Sequence, residues 1–301
     1  MSDTGNFLPL RGILRENENL GEKSFFGVGG AAELLFIPSN MDDLVLFLRE
    51  RPNDAQITIL GAMSNVLIRA GGIKGVVIIL GEWFGRIFLE GNVMEVGAAV
   101  GCSKLSSFAM NNELGGFEFL MGIPGTIGGA IKMNAGCYDS SISDRLIECE
   151  GVDFDGRIRW FRLQDMRFGY RASSIPDNVI LTRAWFRGDP SVNYSISRRV
   201  NEIVAMRKND QPQNRRSCGS VFKNVESRRA WELIDAAGCR GLRVGGAVIS
   251  EKHCNFIINE ENASSDDIED LGELVIQKVL KNSGIRLEWE IMRLGTRDIK
   301  R

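Results

Sequence analysis

Short apolar runs and one helical pattern alternate along the first part of the chain. The runs at 32–37 and 57–60 are typical of strands, and apolar positions repeat on one face of a predicted helix across 41–49. The segment before them shows neither pattern and is predicted to be irregular. A helix that begins near Ser103 and ends before Gly115 is also predicted. Further strands are predicted at 66–68, 76–80, 94–96, 146–152, 158–163 and 179–186.

The second part of the chain is again a mixture of helices and strands, and a polar stretch at 187–193 precedes it. The elements predicted after this stretch are a helix carrying Val200 and Ile203, a helix at 230–237, and strands at 247–249, 256–258 and 285–291. A further helix is predicted to be opened by Ser264 or Ser265 and to carry an apolar stripe of Ile268, Leu271, Val275 and Val279. The polar stretch is the best candidate for a boundary. The sequence therefore predicts a mixed α and β protein with two domains, 1–188 and 189–301.

Composition and charge exclude several classes of protein. The chain has 301 residues, a net charge of −2 and 44% hydrophobic residues, which is typical of globular proteins and leaves no basic field for binding nucleic acid. Its first residues lack a secretion signal and its apolar runs are too short to cross a bilayer, so we expect a cytoplasmic location. The six cysteines show no CxxC spacing, so neither a metal site nor a disulfide framework is predicted.

Glycine is the unusual feature of the composition, with 34 residues against 7 prolines. The glycines are densest in 115–138, where successive N–H groups ahead of a helix could form a concave donor site that suits a pyrophosphate. A second loop of small residues, 61–65, follows the strand at 57–60, and ligands often bind at strand ends. For each loop taken alone, a tight structural turn is the favoured interpretation. The two loops in one domain favour an extended dinucleotide cofactor.

Two other motifs suggest different chemistry. The segment 27–32 fits the glycine spacing of a Rossmann fingerprint, but strand-like residues follow it where that fold needs a helix. The turn at 217–220 offers Cys218 or Ser220 as a nucleophile, with His253, the single histidine of the chain, as its base. This hydrolase hypothesis lacks a local nucleophile signature, and a structural histidine is the simpler interpretation.

Six motifs, read in chain order, resemble those of the UDP-N-acetylenolpyruvoylglucosamine reductase family. They are GAMSNVLIRAGGIKGVVI, GFEFLMGIPGTIGGAIKMNAGCY, FGYRASSI, QPQNRRSCGSVFKN, EKHCNFIIN and LEWEIMRLG, and they extend from residue 61 to residue 295. The resemblance implies an α+β fold in which an FAD-binding domain of the vanillyl-alcohol-oxidase (PCMH) type is followed by a smaller α/β substrate-binding domain. It also implies non-covalent FAD, NADPH as hydride donor, and reduction of the enolpyruvyl group of UDP-N-acetylglucosamine-enolpyruvate to UDP-N-acetylmuramate in peptidoglycan precursor synthesis.

By match to the family's motifs, three residues are expected to be catalytic. Ser220 would protonate the enolate carbon that hydride transfer leaves on the substrate, and Arg171 and Glu290 would help to stabilise this intermediate. Lys223 and Asn224 are expected to bind the nucleotide part of the substrate. The residues expected to bind FAD are Gly61, Ser64, Asn65, Gly122, Ile123, Pro124, Gly125, Thr126, Gly128, Asn134 and Ala135.

The chain departs from the family's pattern at two places. Gly27 stands where the family commonly has a basic residue, and Asp210 stands where it has a lysine expected near phosphates, for which Lys208 or Arg215 is a candidate replacement. The chain has no extra segment that carries the substrate-clamping tyrosine of the longer family type, so we expect the shorter second type, and Tyr194 stays unassigned.

Three further expectations complete the sequence analysis. The protein is expected to be a monomer. Another oxidase or dehydrogenase on the same FAD scaffold is the nearer alternative function, since the same glycine loops would serve it. A nucleotide-binding module without enzymatic activity is the more distant one.

Overall fold

The computed structural model of this chain describes residues 10–225 and 228–297. Residues 1–9, in which no secretion signal is predicted, lie outside these ranges. The α-helices of the described residues are α1 (Met41–Glu50), α2 (Cys102–Asn111), α3 (Ile127–Lys132), α4 (Asn193–Asp210), α5 (Ala230–Ala236) and α6 (Ser265–Ser283). None of these six helices is both long enough and apolar enough to span a membrane.

Most strands are short, and the longest have seven to nine residues. In chain order they are β1 (Ile13–Asn19), β2 (Ala31–Ile37), β3 (Ile57–Leu60), β4 (Val66–Ile68), β5 (Ile73–Ile79), β6 (Ile87–Glu90), β7 (Val93–Gly97), β8 (Leu114–Gly115), β9 (Gly136–Cys137), β10 (Ser140–Ser141), β11 (Leu146–Asp153), β12 (Ile158–Arg162), β13 (Val179–Arg187), β14 (Asp189–Pro190), β15 (Arg243–Val244), β16 (Ala247–Ile249), β17 (Ile257–Asn259) and β18 (Met292–Leu294). The larger sheets have the strand orders β1-β2-β5-β3 and β12-β11-β13-β7-β6.

The first of two compact units comprises residues 10–15, 35–62 and 75–205. Its antiparallel sheet has β11, β13 and β7 as inner strands, and α3 packs against β7 and β13. β3 and β5 pair in parallel, as expected for strands joined by a crossover rather than a hairpin. The core of the unit contains Val96, Leu105, Phe117, Leu120, Ile131 and Phe186.

The second unit comprises residues 16–34, 63–74, 206–225 and 228–297. α6 packs against the antiparallel sheet β15-β16-β17, and α5 packs against α6. β4 and β18 form a separate parallel pair in which Met292 lies opposite Val66. The core of this unit contains Phe26, Leu67, Val221, Phe222, Leu271 and Val275.

The sequence of α6 explains its bounds. Ser264 caps its first turn, because its hydroxyl accepts from the Asp267 N–H at 3.0 Å while the Asp267 carboxylate accepts from the Ser264 N–H at 2.9 Å. Its apolar stripe, which includes Ile268 and Leu271, is buried as predicted. The helix ends at Gly284, whose φ of 73° is the left-handed conformation typical of a helix C-terminus. The predicted opening of this helix is therefore confirmed.

Most predicted elements are present, and two predictions about the ends of the chain are wrong. The start of the chain is not irregular, since β1 covers Ile13–Asn19. The segment 285–291 forms no regular strand, and its main chain makes one isolated bridge, at Trp289 to Phe222. Its alternating pattern arises because Leu287 and Ile291 face the core. The regular strand begins one residue later, at Met292.

Ser264→Ala should lower the free energy of unfolding by about 1 kcal/mol, because it leaves the Asp267 N–H without its acceptor. Chemical denaturation followed by far-UV circular dichroism measures this change. Gln277→Ala is the matched control, since Gln277 is exposed in the middle of the same helix and alanine favours helix. Equal losses in the two variants would show that the cap does not stabilise α6.

Candidate active site

The two glycine-rich loops of the first unit meet at one point. Gly61 follows β3 directly, and a Cβ atom added to it would lie 2.5 Å from the Thr126 Oγ1. A side chain at position 61 would therefore collide with the loop that precedes α3. The structure thus brings together Gly61 and Thr126, which the sequence assigns to two different parts of a cofactor site.

The loop before α3 is attached to the chain that precedes α2. The Cys102 N–H donates to the Gly125 carbonyl at 3.0 Å, and the N–H groups of Ile127 and Gly128 donate to the carbonyls of Val100 and Ala98 at 2.8 and 2.9 Å. The prediction that the amides opening this helix are free for a pyrophosphate is thus wrong for Ile127 and Gly128.

Other donors of this loop remain available. Within residues 10–225 and 228–297 no hydrogen bond engages the N–H groups of Gly125 and Thr126, and the Thr126 side chain does not cap α3. Gly125 has a φ of 134°, which a side chain would strain. Two amides and one hydroxyl at a half-buried loop form a donor set that suits an anionic phosphate. The predicted residues Gly122, Ile123 and Pro124 are half-buried in the same loop.

Asn134, Ala135 and Arg171 lie together in the first unit. The side-chain NH2 group of Asn134 donates to the Gly169 carbonyl at 3.0 Å, and its side-chain oxygen accepts from the Ser143 N–H at 3.1 Å. The Arg171 guanidinium donates to the Gly136 carbonyl at 2.8 Å. The Ala135 N–H donates to a carbonyl of α3 at 2.8 Å. The loop after α3 is therefore a support for Arg171, and the polar groups of Asn134 already bind protein.

In the second unit, hydrogen bonds connect Asn65 to Glu290. The Asn65 side-chain amide donates to the Glu290 carbonyl at 3.1 Å, and the Met292 N–H donates to the Asn65 carbonyl at 3.0 Å. These bonds extend the parallel pair of β4 and β18 by one residue at its entry. The predicted residues Ser64 and Asn65 therefore lie beside the chain that carries Glu290.

The chain segment that carries Ser220 is hydrogen-bonded to the segment that carries Glu290. The Glu290 N–H donates to the carbonyl of Val221, the residue after Ser220, at 2.8 Å. Both Ser220 and Glu290 are half-buried, so they can meet a ligand. Two of the three predicted catalytic residues occupy adjacent chain segments.

The two predicted substrate residues follow directly. The Lys223 ammonium lies 3.6 Å from the Glu288 carboxylate, which is 75% exposed, so this ion pair is a weak, solvated one that a ligand can displace. The Asn224 side chain accepts from the Ala230 N–H at 2.9 Å and so opens α5. Lys223 is thus the more available of the two for binding an anionic ligand.

Two further residues near this segment, Asn255 and Arg216, were not predicted from the sequence. Asn255 is buried and its side chain binds the main chain of Phe222. Arg216 covers Gly27, since a Cβ atom at position 27 would lie 2.7 Å from the Arg216 Cδ. A guanidinium therefore lies where the family commonly has a basic side chain at position 27. Only contacts in the folded chain could reveal either residue.

Burial argues against Cys218 as the nucleophile of the hydrolase hypothesis. Burial raises the pKa of the Cys218 thiol to about 12, and the thiol donates to the Val66 carbonyl at 3.4 Å. Burial likewise lowers the pKa of His253, whose ring packs edge-on against Phe256. A thiol that burial keeps protonated and that donates to a main-chain carbonyl is not an activated nucleophile. The Rossmann alternative is excluded as well, because 31–37 forms β2 rather than a helix.

The structure gives no function to Asp210, Lys208 or Tyr194, the other residues noted in the comparison with the family's pattern. Asp210 ends α4, and its charge acts to raise the pKa of the nearby His253 against the larger effect of burial. The Lys208 carbonyl accepts from the Lys252 ammonium at 2.7 Å. Tyr194 is 77% exposed near the start of α4, and nothing in its surroundings gives it a function.

Comparison with known proteins identifies the class first. Residues 32–162 match the family model of an FAD binding domain, and residues 211–294 match that of the C-terminal domain of UDP-N-acetylenolpyruvoylglucosamine reductase. Together with the donor loops described above, these matches define an FAD-dependent oxidoreductase with a second, C-terminal domain. The predicted α+β fold class and the FAD cofactor are confirmed.

Relatives that match nearly the whole chain then identify its family. The UDP-N-acetylenolpyruvoylglucosamine reductase of Gluconobacter oxydans is 47% identical over 286 residues, covering 95% of this chain and 94% of that protein. That of Rickettsia conorii is 45% identical over 289 residues, covering 96% and 98%. The crystal structure of the enzyme from Thermus caldophilus matches with a TM-score of 0.83 at 33% identity, covering 95% of this chain and all of that one. The chain belongs to the UDP-N-acetylenolpyruvoylglucosamine reductase family.

Cys218 should resist alkylation in the native protein at pH 8. With a pKa of about 12, only on the order of one thiol in 10⁴ is a reactive thiolate at that pH, and the side chain is buried as well. Iodoacetamide labelling read by peptide mass spectrometry tests this, and the same reagent should label Cys218 once the protein is unfolded. Native labelling as fast as that of a free thiol would revive the nucleophile hypothesis.

The purified protein should be yellow, and Gly125→Val and Gly128→Val should each remove most of its FAD. A side chain at position 125 would need a positive φ, and a Cβ at position 128 would lie 3.1 Å from the Ala98 Cβ and 3.3 Å from its carbonyl oxygen. Absorbance at flavin wavelengths per polypeptide measures the content. Gly85→Val is the control, because a Cβ at position 85 meets nothing within 4 Å. Full flavin in both loop variants would assign these glycines to ordinary turns.

Proposed function

We propose that this protein reduces the enolpyruvyl group of UDP-N-acetylglucosamine-enolpyruvate to the lactyl ether of UDP-N-acetylmuramate, with NADPH as reductant, in peptidoglycan precursor synthesis. The observation that carries the proposal is identity of 45–47% to named reductases over about the whole chain. The chain segments of Ser220 and Glu290 are adjacent, which favours this function over that of another oxidase on the same scaffold. The reason is that this reaction requires a proton donor close to the carbon that receives the hydride.

The residues present fit the cofactor. Gly61, Gly125 and Thr126 provide a loop junction without side-chain bulk and with free N–H and O–H donors, which suits the FAD pyrophosphate. Bound FAD would accept a hydride from NADPH and supply one to the substrate. The remaining residues predicted for FAD are Ser64, Asn65, Gly122, Ile123, Pro124, Gly128, Asn134 and Ala135, of which Asn134 and Ala135 contribute by supporting the loop.

The protein's own side chains handle the charge and the proton. Addition of hydride to the terminal enolpyruvyl carbon leaves negative charge on the neighbouring carbon and its carboxylate. Arg171, held by its bond to the Gly136 carbonyl, supplies a fixed cation for this charge. Ser220 donates its hydroxyl proton to the enolate carbon, and Glu290 assists in stabilising the intermediate. Lys223 and Asn224 bind the nucleotide end of the substrate.

The domain organisation belongs to the same proposal. Domains 1–188 and 189–301 are supported by the two family matches, each of which falls entirely inside one of them. The compact units differ from these domains at three segments, since 16–34 and 63–74 belong with the C-terminal residues and 189–205 belong with the first unit. We also propose that the protein is a cytoplasmic monomer of the shorter second type.

Ser220→Ala should keep FAD and be reduced by NADPH at a near-normal rate, whereas turnover of the enolpyruvyl substrate should fall by roughly 10²–10⁴, the usual scale for loss of a positioned general acid. The serine acts only after hydride has left the cofactor, so the first half-reaction is spared. Anaerobic stopped-flow with NADPH and steady-state assays with substrate separate the two steps. Ser220→Cys should retain part of the activity, because a thiol can also deliver a proton.

Ser217→Ala is the matched control in the same turn. The Ser217 hydroxyl is buried and makes no hydrogen bond within the described residues, so its removal leaves no partner unsatisfied and should change turnover little. If Ser220→Ala turns over substrate as fast as the parent, the proton comes from another group, and the assignment of Ser220 fails. Equal losses in both variants would instead indicate disruption of the turn.

A further inference from the structure

Asn255 is a buried polar residue with no direct part in the proposed reaction. It lies in the loop between β16 and β17 and is 4% exposed. Its side-chain carbonyl accepts from the Phe222 N–H at 3.0 Å, and its side-chain amide donates to the Phe222 carbonyl at 2.8 Å. Its main-chain carbonyl accepts from the Val221 N–H at 2.9 Å. One side chain therefore satisfies both main-chain groups of Phe222, as a neighbouring strand would.

The segment that Asn255 holds begins directly after Ser220. From the opposite side, the Val221 carbonyl accepts from the Glu290 N–H at 2.8 Å, and the Lys223 N–H donates to the Glu288 carbonyl at 2.9 Å. Residues 221–223 are thus bonded on both sides. On the other flank of Ser220, Gly219 has a φ of 79° and no side chain to restrain the turn. The placement of Ser220 therefore depends on the segment after it.

We propose that Asn255 is the positioning residue for Ser220, the proton donor. The inference rests on the proposed function and deepens it. The chemistry requires an amide of this length, because the two Phe222 groups need one acceptor and one donor side by side. Loss of the donor would leave the buried Phe222 carbonyl unsatisfied and release the chain next to Ser220. A displacement of about 1 Å in a reacting group costs roughly 100-fold in rate.

Asn255→Asp keeps the shape of the side chain and removes the donor at high pH. At pH 8, turnover of the enolpyruvyl substrate should fall about 10- to 100-fold, while FAD content and reduction by NADPH stay near the parent values. Burial raises the pKa of the new carboxyl, and its protonated form can donate to the Phe222 carbonyl. The turnover of the variant relative to the parent should therefore recover as the pH falls, and be lost as the pH rises through that pKa.

Asn259→Asp is the matched control. Asn259 is equally buried in the same unit, and its amide donates to the Phe26 carbonyl and accepts from the Ala263 N–H, each at 2.8 Å. The same chemical change there should lower the melting temperature similarly but leave turnover within about threefold of the parent, since its side chain does not touch the 221–223 segment. Equal loss of turnover in the two variants would overturn the proposal.

A double-mutant cycle with Ser220→Ala completes the test. If Asn255 acts through Ser220, adding Asn255→Asp to Ser220→Ala should reduce turnover by less than about threefold further, whereas independent effects would multiply and overturn the proposal. Asn255→Ser, which keeps a donor and an acceptor on a shorter side chain, replaces Asn255→Asp if that variant does not fold, with the same loss expected. If Ser220→Ala alone retains the turnover of the parent, Ser220 is not the proton donor, and both the proposed role of Ser220 and this inference are wrong. If Ser220→Ala is impaired but Asn255→Asp has normal turnover, only the inference about Asn255 is wrong.

Discussion

The second unit's part of the site depends on one buried carboxylate, that of Glu269, and on the hydrogen bonds that it accepts. It accepts two hydrogen bonds from Arg69, at 2.9 and 2.8 Å, and one from Arg293 at 3.1 Å, and these partners hold its pKa below its ordinary value. Arg69 follows β4 and Arg293 lies in β18, so one side chain of α6 fastens both strands. Since both guanidinium groups bond to the same buried carboxylate, a shift of either strand alone would break charge-assisted hydrogen bonds. Asn65 and Glu290, at the entries of these strands, take their positions from this pair.

In the first unit the corresponding constraint is backbone conformation. Asn134 and Arg171 have φ values of 45° and 53°, in the left-handed region that non-glycine residues rarely adopt. Such conformations cost of order 1–3 kcal/mol each and persist only where surrounding contacts determine them. Here the contacts are reciprocal: the Asn134 side chain binds the Gly169 carbonyl while Arg171 binds the Gly136 carbonyl. The two strained residues therefore stabilise each other's loops, and the guanidinium of Arg171 is fixed before any ligand arrives.

The sequence predicted best what depends on local patterns. The cap at Ser264, the buried stripe of α6 and the strands at 57–60 and 66–68 follow from neighbouring residues and were all found. The failures arise where tertiary contacts decide. Residues 285–291 alternate like a strand, yet their main chain bonds to 221–223 instead of entering a ladder. The amides of Ile127 and Gly128 could not be recognised as engaged, because their acceptors lie about 27 to 30 residues earlier in the chain.

The environment of the 217–220 turn explains why a serine suits the proton transfer. Cys218, two residues from Ser220, has a pKa of about 12, because burial disfavours its thiolate, and burial lowers the pKa of His253 in the same unit. The thiol of Cys218 is therefore held in its neutral form on the buried side of this turn. Ser220 lies on the half-buried part of the same turn, and its hydroxyl is neutral before the reaction and polar enough to meet a basic enolate carbon. A weak acid such as Ser220 keeps its proton until a strongly basic carbon is present to receive it.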